Sequence, residues 1–103
     1  MGIDPIDVTK KYLAEVRRLG INVDQAYLFG SYAKGKVWEG SDLDVCVVSD
    51  DFGKNYHGDK MKLNKAALKV NSRIEPVAYS PADFDNKYDS LADEVKRFGI
   101  LIH

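Results

Sequence analysis

Apolar positions recur along this chain at two periods, one typical of helices and one typical of strands. The helical repeat begins behind Asp4-Pro5, a common helix start, and a second start signal is Ser80-Pro81. The helices that this spacing predicts are residues 5–19, residues 60–71, a short helix from residue 81, and residues 90–98 ahead of Gly99.

Short apolar runs bounded by turn residues predict strands over residues 25–29, 41–49 and 73–80. The second run is apolar without a break at its end, which is typical of a strand buried on both faces. Pro76 favours a sheet edge or an interrupted ladder for the third. We expect residues 50–59 to form a loop, with Tyr56-His57-Gly58 as a lid or plain connection, and the tail 100–103 to form a short strand or a docking segment. The order predicts an α/β fold, a small mixed sheet backed by helices in two layers.

Composition narrows the class of protein. The 103 residues predict a single domain over 1–103, and 45% apolar with 30% charged residues is typical of a folded soluble protein. No run is long and apolar enough to span a membrane and no signal pattern opens the chain, so we expect a cytoplasmic protein. The single cysteine, Cys46, is expected in the core, and a net charge of -1 argues against polymerisation on DNA or RNA.

The most informative stretch is "LFGSYAKGKVWEGSDLDVCVV", residues 28–48. Strand alternation places Asp42 and Asp44 on one face, where two close carboxylates favour a hard divalent cation such as Mg²⁺ or Mn²⁺. Gly30 and Ser31 form a turn whose N–H groups and hydroxyl can hold phosphate oxygens. Glu75 joins these acids if the third strand lies beside the second, a layout that suits phosphoryl or nucleotidyl transfer.

The spacing Gly-Ser, ten residues, Asp-x-Asp resembles the nucleotidyltransferase superfamily of DNA polymerase beta, and the short chain looks most like its minimal nucleotidyltransferases. The resemblance implies that Gly30 and Ser31 hold the β- and γ-phosphates of a nucleoside triphosphate, which we expect to be ATP. Lys34, which follows the turn, is a further candidate phosphate contact. The same resemblance implies that Asp42 and Asp44 bind the metal and that Glu75 completes the site and helps activate the attacking hydroxyl.

The resemblance also implies a partner, since minimal nucleotidyltransferases are often paired with HEPN-domain proteins. The first hypothesis is therefore transfer of AMP to a HEPN toxin, with this chain as its antitoxin. Two alternatives stay open: transfer to a small molecule, as in the aminoglycoside nucleotidyltransferases, for which a homodimer could supply the missing wall, and a non-catalytic antitoxin that only binds.

Several side chains have two interpretations. Lys34 and Lys36 either contact the triphosphate or are solvated, and Tyr32 and Trp38 either stack on a base or pack against the sheet. A basic helix face either meets an RNA or acidic partner or is simply solvated; it comprises Lys62, Lys65 and Lys69, with Arg73 beyond them.

Overall fold

The computed structural model describes residues 4–30 and 42–103, and there a four-stranded sheet carries helices on both faces. In chain order the elements are α1 Pro5–Arg18, β1 Gln25–Phe29, β2 Leu43–Val48, α2 Tyr56–Val70, β3 Ile74–Tyr79, α3 Pro81–Phe84, α4 Ser90–Phe98 and β4 Ile100–Leu101. The strand order is β3-β2-β1-β4. β2 runs antiparallel to β1 and parallel to β3, and β4 runs antiparallel to β1. The predicted mixed sheet backed by helices is confirmed, and so is the edge position of β3.

Side-chain caps start the helices where the sequence predicts them. The Asp4 carboxylate accepts a hydrogen bond of 3.1 Å from the backbone N–H of Ile6 at the start of α1. The Ser80 hydroxyl accepts one of 3.2 Å from the N–H of Asp83 in α3. Each helix has a proline in its first turn, which costs no hydrogen bond because that N–H has no partner within the helix.

The start of α2 corrects one prediction. Residues 56–59 are helical and not part of a loop, so Tyr56, His57 and Gly58 form the first turn of α2 and no lid. The Asn55 side chain caps this turn by accepting a 3.1 Å hydrogen bond from the Gly58 N–H. A Cβ atom at position 58 would lie 2.7 Å from the Asn55 amide nitrogen, so the glycine that suggested a loop leaves room for the cap.

The helices expose polar faces to solvent. Lys62, Lys65 and Lys69 of the predicted basic face are exposed on α2. Within residues 4–30 and 42–103, no helix combines the length and the apolar character needed to cross a bilayer.

Strand alternation divides the core in two. Leu43, Val45 and Val47 of β2 face the cluster that contains α1 and α2, whereas Cys46 and Val48 face the cluster that contains α3 and α4. Cys46 is fully buried, and burial raises the pKa of its thiol to about 12, so its predicted place in the core is confirmed. The same alternation directs Asp44 to the face of α4.

Candidate active site

Three strand ends meet at one end of the sheet. Because β1 and β2 are antiparallel, the last residue of β1, Phe29, lies opposite Asp44. Because β2 and β3 are parallel, Glu75 is the register partner of Asp44 on the other side. The sheet therefore places Gly30, Asp44 and Glu75 side by side on three neighbouring strands, with Asp42 just ahead of β2.

Glycine at position 30 suits both the backbone conformation of the turn and the close approach of Asp44. Its φ is +76°, a left-handed backbone that favours glycine. A Cβ atom at this position would collide with Oδ2 of Asp44 and would lie 3.1 Å from the carboxyl carbon. The absence of a side chain at Gly30 thus makes the space that the Asp44 carboxylate occupies.

The surroundings of Asp44 shift the pKa of its carboxyl group. Its carboxyl is half-buried, and its pKa is raised above the ordinary value, first by burial and then by the negative charges of Asp42, Glu75 and Glu94. A carboxylate whose pKa is raised by neighbouring negative charges lies where a bound cation would be stabilised.

This arrangement of a glycine turn and strand acids has a counterpart among known families. A sequence model described as a nucleotidyltransferase domain matches residues 9–97 of the chain. The chain belongs to the nucleotidyltransferase domain family. The predicted family is confirmed, and with it the prediction that the protein is a nucleotidyltransferase.

Individual proteins are similar to this nucleotidyltransferase in sequence and in fold. A Methanocaldococcus jannaschii protein, whose name describes a candidate protein adenylyltransferase, is 29% identical over 102 residues, which cover 94% of this chain and 97% of that protein. The crystal structure of a candidate nucleotidyltransferase from Sulfolobus solfataricus has a TM-score of 0.65 at 20% identity, covering 93% of this chain and 77% of that one.

Two solved toxin-antitoxin structures have the same fold. One, with AMP-PNP, has a TM-score of 0.64 at 24% identity, covering 89% of this chain and 70% of that one. The other, a mutant of the pair MntA-HpeT, has a TM-score of 0.62 at 20% identity, covering 98% of this chain and 73% of that one. These similarities confirm the predicted nucleotidyltransferase fold.

The acids of this nucleotidyltransferase suit a Mg²⁺ ion that substrate completes. Among the residues that the structure describes, no group of three or more His, Cys, Asp or Glu side chains is arranged to hold a metal ion. Mg²⁺ usually takes one or two protein carboxylates and fills its shell with water and substrate phosphate. The crowded charge around Asp44 fits such a cation, and Asp42 and Asp44 are the carboxylates that would hold it.

One acid near the site was missing from the sequence analysis. Glu94 lies half-buried on α4, between the core residues Ala92 and Val95, and its charge contributes to the raised pKa of Asp44. No motif marks Glu94 in the sequence. Its position next to two buried residues on an amphipathic helix is the available signal, and it becomes informative only when the helix is placed over the Asp44 face of the sheet.

Other predicted site residues lie outside the described residues. Ser31 and Lys34, the predicted phosphate contacts, belong to this group, as do Tyr32, Lys36 and Trp38. Their roles remain predictions.

Proposed function

We propose that this nucleotidyltransferase transfers AMP from ATP, with Mg²⁺ or Mn²⁺, to a hydroxyl group of a HEPN-type toxin, and that it thereby acts as the antitoxin. The observation that carries the proposal is the register of Asp44 with Glu75, beside a glycine that opens space for the Asp44 carboxylate. The relative named as a candidate protein adenylyltransferase and the toxin-antitoxin structure with AMP-PNP support the choice of nucleotide and partner.

The proposed roles follow the order of the strands. Gly30 and Ser31, after β1, hold the β- and γ-phosphates, with Lys34 as a further contact. Asp42 and Asp44, in the middle, hold the divalent ion, which supplies charge neutralisation at the phosphates when it is bound. Glu75, on β3, accepts a hydrogen bond from the attacking hydroxyl together with Asp44.

The chemistry is a displacement at the α-phosphorus of ATP. The acceptor oxygen forms a bond to this phosphorus as the bond to the β-phosphate oxygen breaks, and pyrophosphate leaves. The hydroxyl proton passes to a carboxylate of the site. Glu75, the register partner of Asp44, is the carboxylate that takes this proton, because Asp44 holds the ion.

The test is transfer of radiolabel from ATP labelled at the α-phosphate to the protein encoded by the adjacent gene. We expect Mg²⁺-dependent label on that protein, lost with chelator and reduced by at least about a hundredfold in Asp44→Asn, in line with the loss of a metal ligand that helps to stabilise the charge on the transferring phosphate. Asp85→Asn is the matched control, since Asp85 is an exposed acid at the other end of β2. Equal labelling by wild type and Asp44→Asn would refute the proposal.

The same assay separates the two alternatives. Label in the small-molecule fraction, with added aminoglycosides as acceptors and none on protein, would favour a small-molecule transferase. Neutralisation of the toxin in cells by a variant that carries both Asp42→Asn and Asp44→Asn would favour an antitoxin that acts by binding alone.

A further inference from the structure

A groove of about 300 Å³ lies beside β3, on the sheet face of the proposed site. Val77 and Tyr79 contribute to its lining, and both pack in the core cluster on the α4 side of the sheet. Glu75 precedes them on the same strand face, because side chains two apart share a face. At about 3.3 Å per residue, the groove begins about 7 Å from Glu75 and reaches about 13 Å from it at Tyr79.

The strand order puts this groove on the side from which an acceptor would approach. The glycine turn that would hold the leaving pyrophosphate follows β1, Asp44 lies on β2 and Glu75 on β3, so the order across the sheet is leaving group, metal ligand and base, and the groove continues along β3 from two residues beyond Glu75. In a phosphoryl displacement the attacking and leaving oxygens lie roughly in line. The attacking hydroxyl therefore approaches over β3, where the groove lies.

A second groove, of about 390 Å³, does not meet this requirement. Its lining includes Asp24, Gln25 and Val48, at the start of β1 and the end of β2. It lies at the opposite end of both strands from Phe29 and Asp44, and none of the described residues that line it belongs to β3, the strand that carries Glu75.

The residues that line the β3 groove indicate which kind of ligand it can bind. It carries two acids, Asp83 and Asp89, two tyrosines, Tyr56 and Tyr79, and no lysine, arginine or histidine among the described residues. Asp89 is held in its charged form, since its pKa is lowered, first by the hydrogen bond from the N–H of Ala92. Such a lining repels a triphosphate and attracts a cation beside an aromatic ring.

The two tyrosines line the groove in different ways, since Tyr79 is half-buried against the core and Tyr56 is exposed. Tyr56 is 60% exposed, and it lines the groove together with Tyr79. The Tyr79 hydroxyl donates a 3.0 Å hydrogen bond to Asp89, which fixes this carboxylate at the far end of the groove. The acids and rings thus form a fixed surface next to Glu75.

We propose that this groove binds an extended segment of the acceptor polypeptide. This inference rests on the proposed function and names how its acceptor is recognised. A serine, threonine or tyrosine hydroxyl sits at Glu75, and a lysine or arginine two or four residues away, on the same face of the extended segment, lies between Asp83 and the tyrosines. The spacing follows from the distances along β3, because an extended acceptor also advances about 3.3 Å per residue.

The experiment compares two synthetic ten-residue peptides as acceptors. Each carries one tyrosine, and four positions away, on the same face of an extended chain, one has arginine and the other glutamate. With labelled ATP and Mg²⁺, we expect wild type to transfer AMP to the arginine peptide with a KM at least about tenfold lower than for the glutamate peptide, in keeping with one charge pair in a partly buried groove.

Asp83→Lys tests the groove itself. We expect this variant to raise the KM for the arginine peptide at least about tenfold, to improve the glutamate peptide, and to leave the KM for ATP unchanged. Asp85→Lys, with the same change of charge two residues away, lines the other groove and is the matched control. Because Asp83 is exposed and donates only its backbone N–H to the cap, the variant is expected to fold.

The possible results distinguish failure of the groove proposal from failure of the proposed function. Transfer by wild type that Asp83→Lys does not alter overturns the groove and leaves the proposed function standing. Binding of Mg²⁺ and ATP without transfer to either peptide or to the adjacent gene product overturns both. A switch in peptide preference in Asp83→Lys, absent in Asp85→Lys, supports the groove.

Discussion

The position of the Asp44 carboxylate depends on the absence of a side chain at Gly30. The left-handed backbone at Gly30 turns the chain out of β1, and the missing side chain leaves room for the carboxylate that β2 directs there. The glycine of a phosphate-binding turn is usually explained by the approach of the ligand. Here a protein carboxylate already lies against it, so this position matters before any ligand binds.

Gly30→Ala is expected to destabilise the protein and to displace Asp44. The left-handed backbone alone costs a non-glycine residue about 1–2 kcal/mol, and the collision with the carboxylate adds to this. Urea unfolding should therefore show a larger loss of the free energy of unfolding in wild type than in an Asp44→Ala background. An equal loss in both backgrounds would mean that the two residues do not share this space.

Asp44→Asn is expected to stabilise the metal-free protein at neutral pH. Folding raises the pKa of Asp44 above its ordinary value of 3.8, so the folded state loses stability relative to the unfolded state as pH rises through the window above that value. Removing the charge recovers this loss. Urea unfolding in chelator should show a variant more stable at pH 7 and no longer more stable below the window; a variant less stable at pH 7 would contradict this.

At the scale of elements, Asp89 joins α4 to the end of β3. One carboxylate oxygen accepts hydrogen bonds of 3.0 Å from the Ala92 N–H, as the cap of α4, and from the Tyr79 hydroxyl. Since α4 supplies Ala92 and Val95 to the core and Glu94 to the surroundings of Asp44, this one residue fixes the helix that covers the site.

Asp89→Ala is expected to lower the free energy of unfolding by about 1–2 kcal/mol, the cost of a lost cap, with a further loss from the Tyr79 hydroxyl. Asp89 has a lowered pKa, so its contribution is present above the ordinary value of 3.8 and is lost as pH falls through the lower folded pKa. Thermal unfolding at pH 7 and at acid pH should show the gap narrowing. Asp89→Asn keeps the cap without the charge and is the control.

The elements show what the sequence can and cannot predict. The pairing of Asp44 with Glu75 follows from two strand patterns and a helix between them, because that connection makes the strands parallel neighbours. Glu94 was not predicted, since its position depends on how α4 packs over β2. The start of α2 was missed because Gly58 is a poor helix former, although Asn55 is a good cap.

At the scale of the whole molecule, the sheet arranges the proposed site residues in a fixed order across neighbouring strands. The strand order β3-β2-β1 sets the proposed base, metal ligands and phosphate turn in sequence across one end. The balanced net charge of -1 leaves recognition to local groups across these strands.

ATP and Mg²⁺ together are expected to stabilise the whole fold. A ligand at about 100 times its dissociation constant adds about 2.7 kcal/mol to the free energy of unfolding, and the residues proposed to bind it lie on or next to β1, β2 and β3. Thermal unfolding should show this rise with both ligands and a smaller one with ATP in chelator. The variant with both Asp42→Asn and Asp44→Asn should show no Mg²⁺-dependent rise; an undiminished one would place the metal elsewhere.

Cys46, the only cysteine in the sequence, lies fully buried in the central strand, two residues from Asp44. A thiol so placed can react with a modifying reagent only when β2 itself opens. The rate at which Cys46 is alkylated therefore measures how often the strand of the proposed active site opens. Alkylation of Cys46 should slow when ATP and Mg²⁺ are added. The decrease in rate would show how strongly these substrates stabilise β2 against opening, and it requires no engineered label.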